Sequence, residues 1–215
     1  MRLFLTSHDF GNYKAELLDM LGSGRKALLI TNARDYYSDE DRASVVAAKM
    51  DVLKSAGFSV EELDLRQYFG KQEELADYIE KHNPDLIYAI GGNVFLLATA
   101  YHLSGLDKII REDLAEDKYV YSGNSAGAMA TSETLKYYGH DNLIPERVKE
   151  VYGVDSAMEG LGLIKQFIVA HADVPKHKEI TKMYLDRIEQ DSKEAIILNQ
   201  TGAFIVDGEI RKLLP

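Results

Sequence analysis

A chain of 215 residues, 46% apolar and 28% charged, has the make-up of a soluble globular protein large enough to bury a substantial core. Its formal charge of -10 argues against nucleic-acid binding, which draws on clustered Lys and Arg, and its lack of cysteine excludes disulfides, thiolate nucleophiles and Cys-based zinc sites. No apolar run reaches the ~18 residues of a membrane span or the length of a signal-peptide core, so the expected setting is the cytoplasm, with no membrane partner.

The elements alternate along the chain. RLFLTS (2–7) reads as a strand and YKAELLDML (13–21) as a helix, followed by a buried strand, KALLITNA (26–33). Residues 39–57 form a helix with Ser38 as its cap and Gly57 as its stop. FSVEELDL (58–65) alternates like a strand, 71–83 has helical spacing, and DLIYAIGG (85–92) is a strand running into two glycines. Residues 94–117 are helical in two pieces broken near Ser104-Gly105. After YVYSGN come a small-residue segment, a polar stretch, the strand IKQFIVA (164–170) and a helix over 177–190. EAIILNQ and AFIVDGEIRKLL close the chain as strands, the latter folding back at Asp207-Gly208.

Strands alternating with helices of ten or more residues predict a mainly parallel sheet covered on both faces. Nothing Pro- or Gly-rich divides the chain, so residues 1–215 are expected to form one α/β domain. In such sheets ligands bind at the carboxyl ends of the strands, and chemistry is sought there.

One strand end carries a distinctive pattern. In YVYSGNSAGAMA (119–130), Gly123-x-Ser125-x-Gly127 stands between a strand and a small-residue helix, the nucleophile-elbow arrangement. A sharp turn lifts the serine hydroxyl above the sheet. Glycines two residues either side leave room for it, and the helix N-terminus offers free N–H groups to an oxyanion. The same residues also suit a plain strand–helix turn capped by Ser125.

A base should lie at a neighbouring strand end. His171 ends IKQFIVA and is the best placed, with His8 and His140 behind it. His82 and His102 fall in helices, and His177 reads as solvated in VPKHKE. The 46 residues from Ser125 to His171 allow the two to meet on adjacent strands of the sheet. Gly91-Gly92-Asn93 closes the preceding parallel strand. Gly92 and Ala126 N–H are the natural oxyanion donors, and Asn93 can equally cap the next helix.

With IGGN before a helix, SGNSAGAM, EGLGLIKQFIVAHAD and AIILNQTGAFIVDGE in this order, the chain resembles the aspartyl dipeptidase (dipeptidase E) and cyanophycinase family of serine peptidases. The resemblance runs from about residue 80 to the end. It implies a three-layer α/β/α fold related to class I glutamine amidotransferases, with a flavodoxin-like core. It implies Ser125 as nucleophile, His171 as base, and a short peptide, possibly with N-terminal Asp, as substrate. It implies no metal or organic cofactor, and a monomer or homodimer. α/β-Hydrolases share the elbow, but only 90 residues follow Ser125, too few for their later acid strand and base.

Three positions depart from the family pattern. Ile90 stands where members often carry a further glycine before Gly91, Gly92 and Asn93. The position of the acidic third member matches Gln200, which leaves Asp141, Glu133 and Asp173 as substitutes, Asp141 first because it lies between the serine helix and the histidine strand. The arginine that receives the substrate's aspartate is matched by Lys182, a point charge in place of a fork. Two other readings stay open: a non-catalytic or weakly active amidotransferase-like domain with a decayed triad that binds a small molecule, and a flavodoxin-like binding protein.

Overall fold

Alternate apolar residues along β1 (Arg2–Thr6) face opposite ways, and this divides the core in two. Leu3 and Leu5 join the larger apolar cluster, whereas Phe4 joins the smaller one across the sheet. The computed structural model describes residues 1–140 and 144–215.

After β1 come α1 (Lys14–Leu21), β2 (Lys26–Ile30), α2 (Asp39–Ser55), β3 (Ser59–Glu62), α3 (Gln72–His82), β4 (Leu86–Ala89), α4 (Val94–Ser104), α5 (Leu106–Ala115) and β5 (Val120–Asn124). The second half adds α6 (Ala126–Met129), α7 (Glu146–Tyr152), β6 (Phe167–Val169), α8 (Lys178–Gln190), β7 (Ala195–Ile197), β8 (Ala203–Asp207) and β9 (Ile210–Leu214). Seven strands form one sheet in the order β3-β2-β4-β5-β1-β8-β9. The first five are parallel, and β8 and β9 run antiparallel at one edge. Leu17 of α1 and Leu53 of α2 pack on the face of Phe4, Leu29 and Tyr88. Residues of α3, α4, α5 and α8 cover the other face. The result is the expected three-layer α/β/α arrangement with a mainly parallel sheet.

Local chemistry sets the boundaries. Ser38 Oγ accepts from Asp41 N–H and starts α2 as expected. Gly105, at φ +79°, both ends α4 and begins α5. The terminal strands fold back through Gly208. The polar stretch after the serine helix holds α7, which its composition did not announce.

One expectation on topology is corrected. β6 does not extend the main sheet next to β5. It pairs in parallel with β7 in a separate two-stranded sheet, with Phe167 opposite Ala195 and Val169 opposite Ile197. His171 therefore approaches Ser125 from a side sheet. Among the described residues, no helix is long and apolar enough to cross a membrane.

Candidate active site

The sharpest backbone feature lies at the end of β5. Ser125 sits at φ +49°, ψ -111°, outside the favoured regions for an L-residue. Its N–H donates to the Thr6 carbonyl at 2.9 Å, tying the elbow to β1. The glycines of the pattern have a steric cause. A Cβ on Gly123 would lie 2.4 Å from Gly127 backbone, and one on Gly127 would lie 2.3 Å from the Ala89 carbonyl oxygen. The strand and α6 approach too closely for side chains there.

His171 is also held at positive φ, +60°. Its N–H donates to Ser7 Oγ at 2.9 Å, and Ser7 Oγ donates to the Leu198 carbonyl at 3.0 Å. Ser7 follows β1, so this one hydroxyl joins the side sheet to the main sheet. On the ring, His171 Nδ1 lies 2.6 Å from Gln200 Oε1. With the amide oxygen as acceptor, Nδ1 carries the proton and Nε2 keeps its lone pair. Gln200 is itself held, its N–H donating to Asp173 Oδ1 at 2.6 Å. Burial is the main influence on the imidazole and pushes its pKa below the ordinary histidine value, and the Gln200 contact opposes this only in part. Ser125 and His171 line the same cavities without a hydrogen bond between them; such contacts often tighten only with substrate in place.

The loop after β4 borders Ser125. Gly91 backs onto it so closely that a Cβ would lie 2.8 Å from Ser125 Cβ. Gly91 N–H donates to Asn124 Oδ1 at 2.8 Å, and Asn93 N–H to the Ala33 carbonyl at 2.8 Å. Asn93 Oδ1 caps α4 by accepting from Phe95 and Leu96 N–H. Among the described residues, the N–H groups of Gly92 and Ala126 donate to nothing. A free N–H on each side of a serine is what an oxyanion needs.

Two cavities meet at Ser125. One, of about 320 Å³, opens toward α8 and is lined by Met129, His177, Ile180, Thr181 and Tyr184. The other, of about 310 Å³, opens toward α2 and is lined by Ser7, His8, Val45, Ala48 and Lys49. Arg34, Ser125 and His171 border both.

The sequence profile of peptidase family S51 matches residues 3–213. The chain belongs to peptidase family S51. It is 30% identical over 172 residues to an uncharacterized peptidase of Listeria monocytogenes, Lmo0363, covering 80% of this chain and 78% of that one. It is 25% identical over 216 residues to an uncharacterized peptidase of Pasteurella multocida, PM1590, covering 95% and 96%. A solved structure described as a candidate peptidase E protein of Listeria monocytogenes superposes with a TM-score of 0.77 at 26% identity, covering 100% of this chain and 98% of that one. A peptidase from an acI-B1 actinobacterium shares the fold, with a TM-score of 0.66 at 16% identity over 95% and 82% of the two chains.

In this S51 peptidase the residues expected from sequence fall into two groups. Ser125, His171, Gln200, Gly91, Gly92, Asn93 and Ala126 all gather at the strand ends. Lys182 does not: it is exposed, and the helix presents Thr181 and Tyr184 to the cavity instead. Glu133 is also exposed and pairs with Lys193 at 3.0 Å, so it is no partner of His171. Asp173 accepts from Gln200 N–H and makes no hydrogen bond to the ring. Asp141 lies outside the described residues. His82 stacks on Tyr78, and His8 is a largely exposed neighbour of Asp9.

Of the lining residues that the sequence did not point to, His177 and Arg34 stand closest to the proposed chemistry. His177, which its VPKHKE setting predicts to be solvated, faces the cavity with its ring centroid 5.5 Å from that of His171. Arg34 lies in the turn after the carboxyl end of β2, a position that by itself names no role. Among the described residues, no group of three or more His, Asp or Glu is arranged to hold a metal.

Proposed function

We propose that this S51 peptidase is a serine peptidase of short peptides, with Ser125 as nucleophile and His171 as general base. The observation that carries the reading is the pairing of a strained Ser125 elbow with an imidazole whose Nδ1 is engaged by Gln200, both opening on one cavity. Ser125 Oγ attacks the scissile carbonyl carbon, and Nε2 of His171 takes the hydroxyl proton. The carbonyl oxygen gains negative charge between Gly92 and Ala126 N–H. Collapse expels the amine, which leaves with the proton from His171, and an acyl group stays on Ser125. Water, deprotonated by His171, then releases the acid and restores the serine. Gln200 takes the third position of the triad. Cavities of modest volume either side of Ser125 favour substrates of a few residues. The place of Lys182 argues against aspartate recognition from α8.

A second reading is favoured by one feature, the uncharged Gln200 in the acid's position: a weakly active domain that binds a small molecule. One experiment separates them. A fluorophosphonate probe should label the wild type and leave Ser125→Ala unlabelled, and the wild type should cleave members of a panel of di- and tripeptides, tested with and without N-terminal Asp. His171→Ala should lower turnover by about three orders of magnitude or more. Equal labelling of wild type and Ser125→Ala rejects the serine assignment, and an unlabelled, inert wild type supports the binding domain.

A further inference from the structure

After β2 the chain turns sharply through Asn32–Arg34 and sets Arg34 against the loop that follows β4. Arg34 Nε donates to the Gly91 carbonyl at 2.7 Å, and Nη1 donates to the Tyr37 hydroxyl at 2.5 Å. The Gly91 carbonyl belongs to the same peptide unit as the Gly92 N–H. In a planar trans peptide these two groups point in opposite directions. A grip on the carbonyl therefore fixes where the N–H is aimed.

This peptide needs such a grip. It joins two glycines, the residues whose backbones rotate most freely. Side chains could not restrain it, because a Cβ on Gly92 would lie 2.3 Å from the Ala33 carbonyl oxygen. The polar groups on either side are already committed, Gly91 N–H to Asn124 and Asn93 N–H to Ala33. The turn that carries Arg34 is braced in its own right. Asn32 Nδ2 donates to Asp35 at 2.7 Å, and Arg42, buried, donates to Asp35 at 2.7 Å and to Thr31 at 3.0 Å. A cation on the carbonyl also polarises the peptide and makes its N–H a stronger donor.

We propose that Arg34 is a positioning residue of the oxyanion hole: its guanidinium holds the Gly91 carbonyl, so that the Gly92 N–H faces the reacting carbonyl beside Ser125. The inference rests on the serine-peptidase reading above. Arg34 acts through the peptide and not on the substrate, which sets it apart from a cation that binds a substrate carboxylate.

The test uses a neutral fluorophosphonate, whose phosphoryl oxygen enters the oxyanion hole and which carries no carboxylate. Removing an oxyanion donor outright costs about 10²–10³ in rate. Releasing the peptide that carries it should cost less, about thirtyfold in the second-order labelling rate of Arg34→Ala. Ethylguanidinium added to that variant should recover part of the rate, and ethylammonium should not. With peptide substrates, kcat should fall and KM should stay nearly constant. Labelling of Arg34→Ala at the wild-type rate, with only a raised KM for peptides, overturns the proposal and makes Arg34 a substrate contact. A slow variant with a lowered melting temperature that ethylguanidinium does not rescue also overturns it, in favour of a structural role. A wild type unlabelled at Ser125 brings down the serine reading and this proposal together, whereas the first two outcomes leave that reading standing.

Discussion

In the His171–Gln200 pair an uncharged oxygen stands where the proposed mechanism would place a carboxylate. The 2.6 Å contact fixes the tautomer, since an oxygen can only accept from Nδ1–H. What it lacks is the charge that would stabilise an imidazolium in the proposed mechanism. The pKa direction follows: burial lowers it most, His8 and Lys176 add to the lowering, and Gln200 and Asp173 oppose it. A base with a lowered pKa stays neutral to more acidic pH, so the acidic limb of the kcat/KM profile should lie below the ordinary histidine value. Gln200→Glu supplies the missing charge at the same place. It should move that limb to higher pH and raise turnover. The gain should be about tenfold and not the four orders seen when a triad acid is lost, because much of that loss comes from a wrong tautomer and the tautomer here is already set. A pH–rate profile of wild type and variant decides it, and an unmoved limb means that Gln200 does not govern the imidazole. Gln200 was legible in the sequence, since it falls within the terminal segment that carries the family resemblance. Arg34 was not, because a single arginine in a turn has neither period nor motif, and its role depends on a carbonyl 57 residues away.

At the scale of elements, His171, the proposed base, is carried by the least regular part of the fold. β6 and β7 have three residues each and pair only with one another in their sheet. Strands this short give no signal of which sheet they join, and that is why the sequence placed His171 on the main sheet beside Ser125. α8 posed a similar problem. Its spacing marked a helix, but only its packing against β6 decides that Thr181 and Tyr184, and not Lys182, face the cavity. β1 to β5, by contrast, were readable because buried parallel strands are continuous apolar runs. The side sheet is registered on the main one by Ser7, whose hydroxyl accepts from His171 N–H and donates to the Leu198 carbonyl. Ser7→Ala leaves the His171 N–H without its partner in a largely buried place, while the Leu198 carbonyl still accepts from Ala172 N–H at 3.1 Å. Such a loss costs about 1–3 kcal/mol. We expect urea unfolding to register a loss in this range, and kcat to fall about tenfold as His171 loses its anchor. A stable variant with full activity would show that the side sheet is positioned by packing alone.

Over the whole molecule, the topology puts four strand ends, β2, β4, β5 and β1, side by side, and each contributes to the site. β2 leads to Arg34, β4 to Gly91 and Gly92, β5 to Ser125, and β1 to Ser7. The alternation of strands and helices made this convergence foreseeable, as parallel strands that return by helices all end at one edge. What the sequence could not supply was the shape of the cleft, because its walls come from α2 on one side and α8 on the other. Ser125 lies between the two cavities. A peptide attacked at that serine must place the acyl part on one side and the leaving amine on the other. The α2 cavity can be filled without disturbing the core, since Ala48 lines it from an exposed position. Ala48→Trp should therefore leave stability within about 0.5 kcal/mol. It should raise KM for peptides or abolish their cleavage, while a small fluorophosphonate, which in the proposed mechanism needs only Ser125, His171 and the oxyanion donors, should react at the wild-type rate. A peptide panel, probe labelling and a melting curve on this single variant check all three. Undiminished peptide hydrolysis would mean that substrates bind wholly on the α8 side, whereas loss of labelling would mean that the α2 wall reaches the catalytic pair itself.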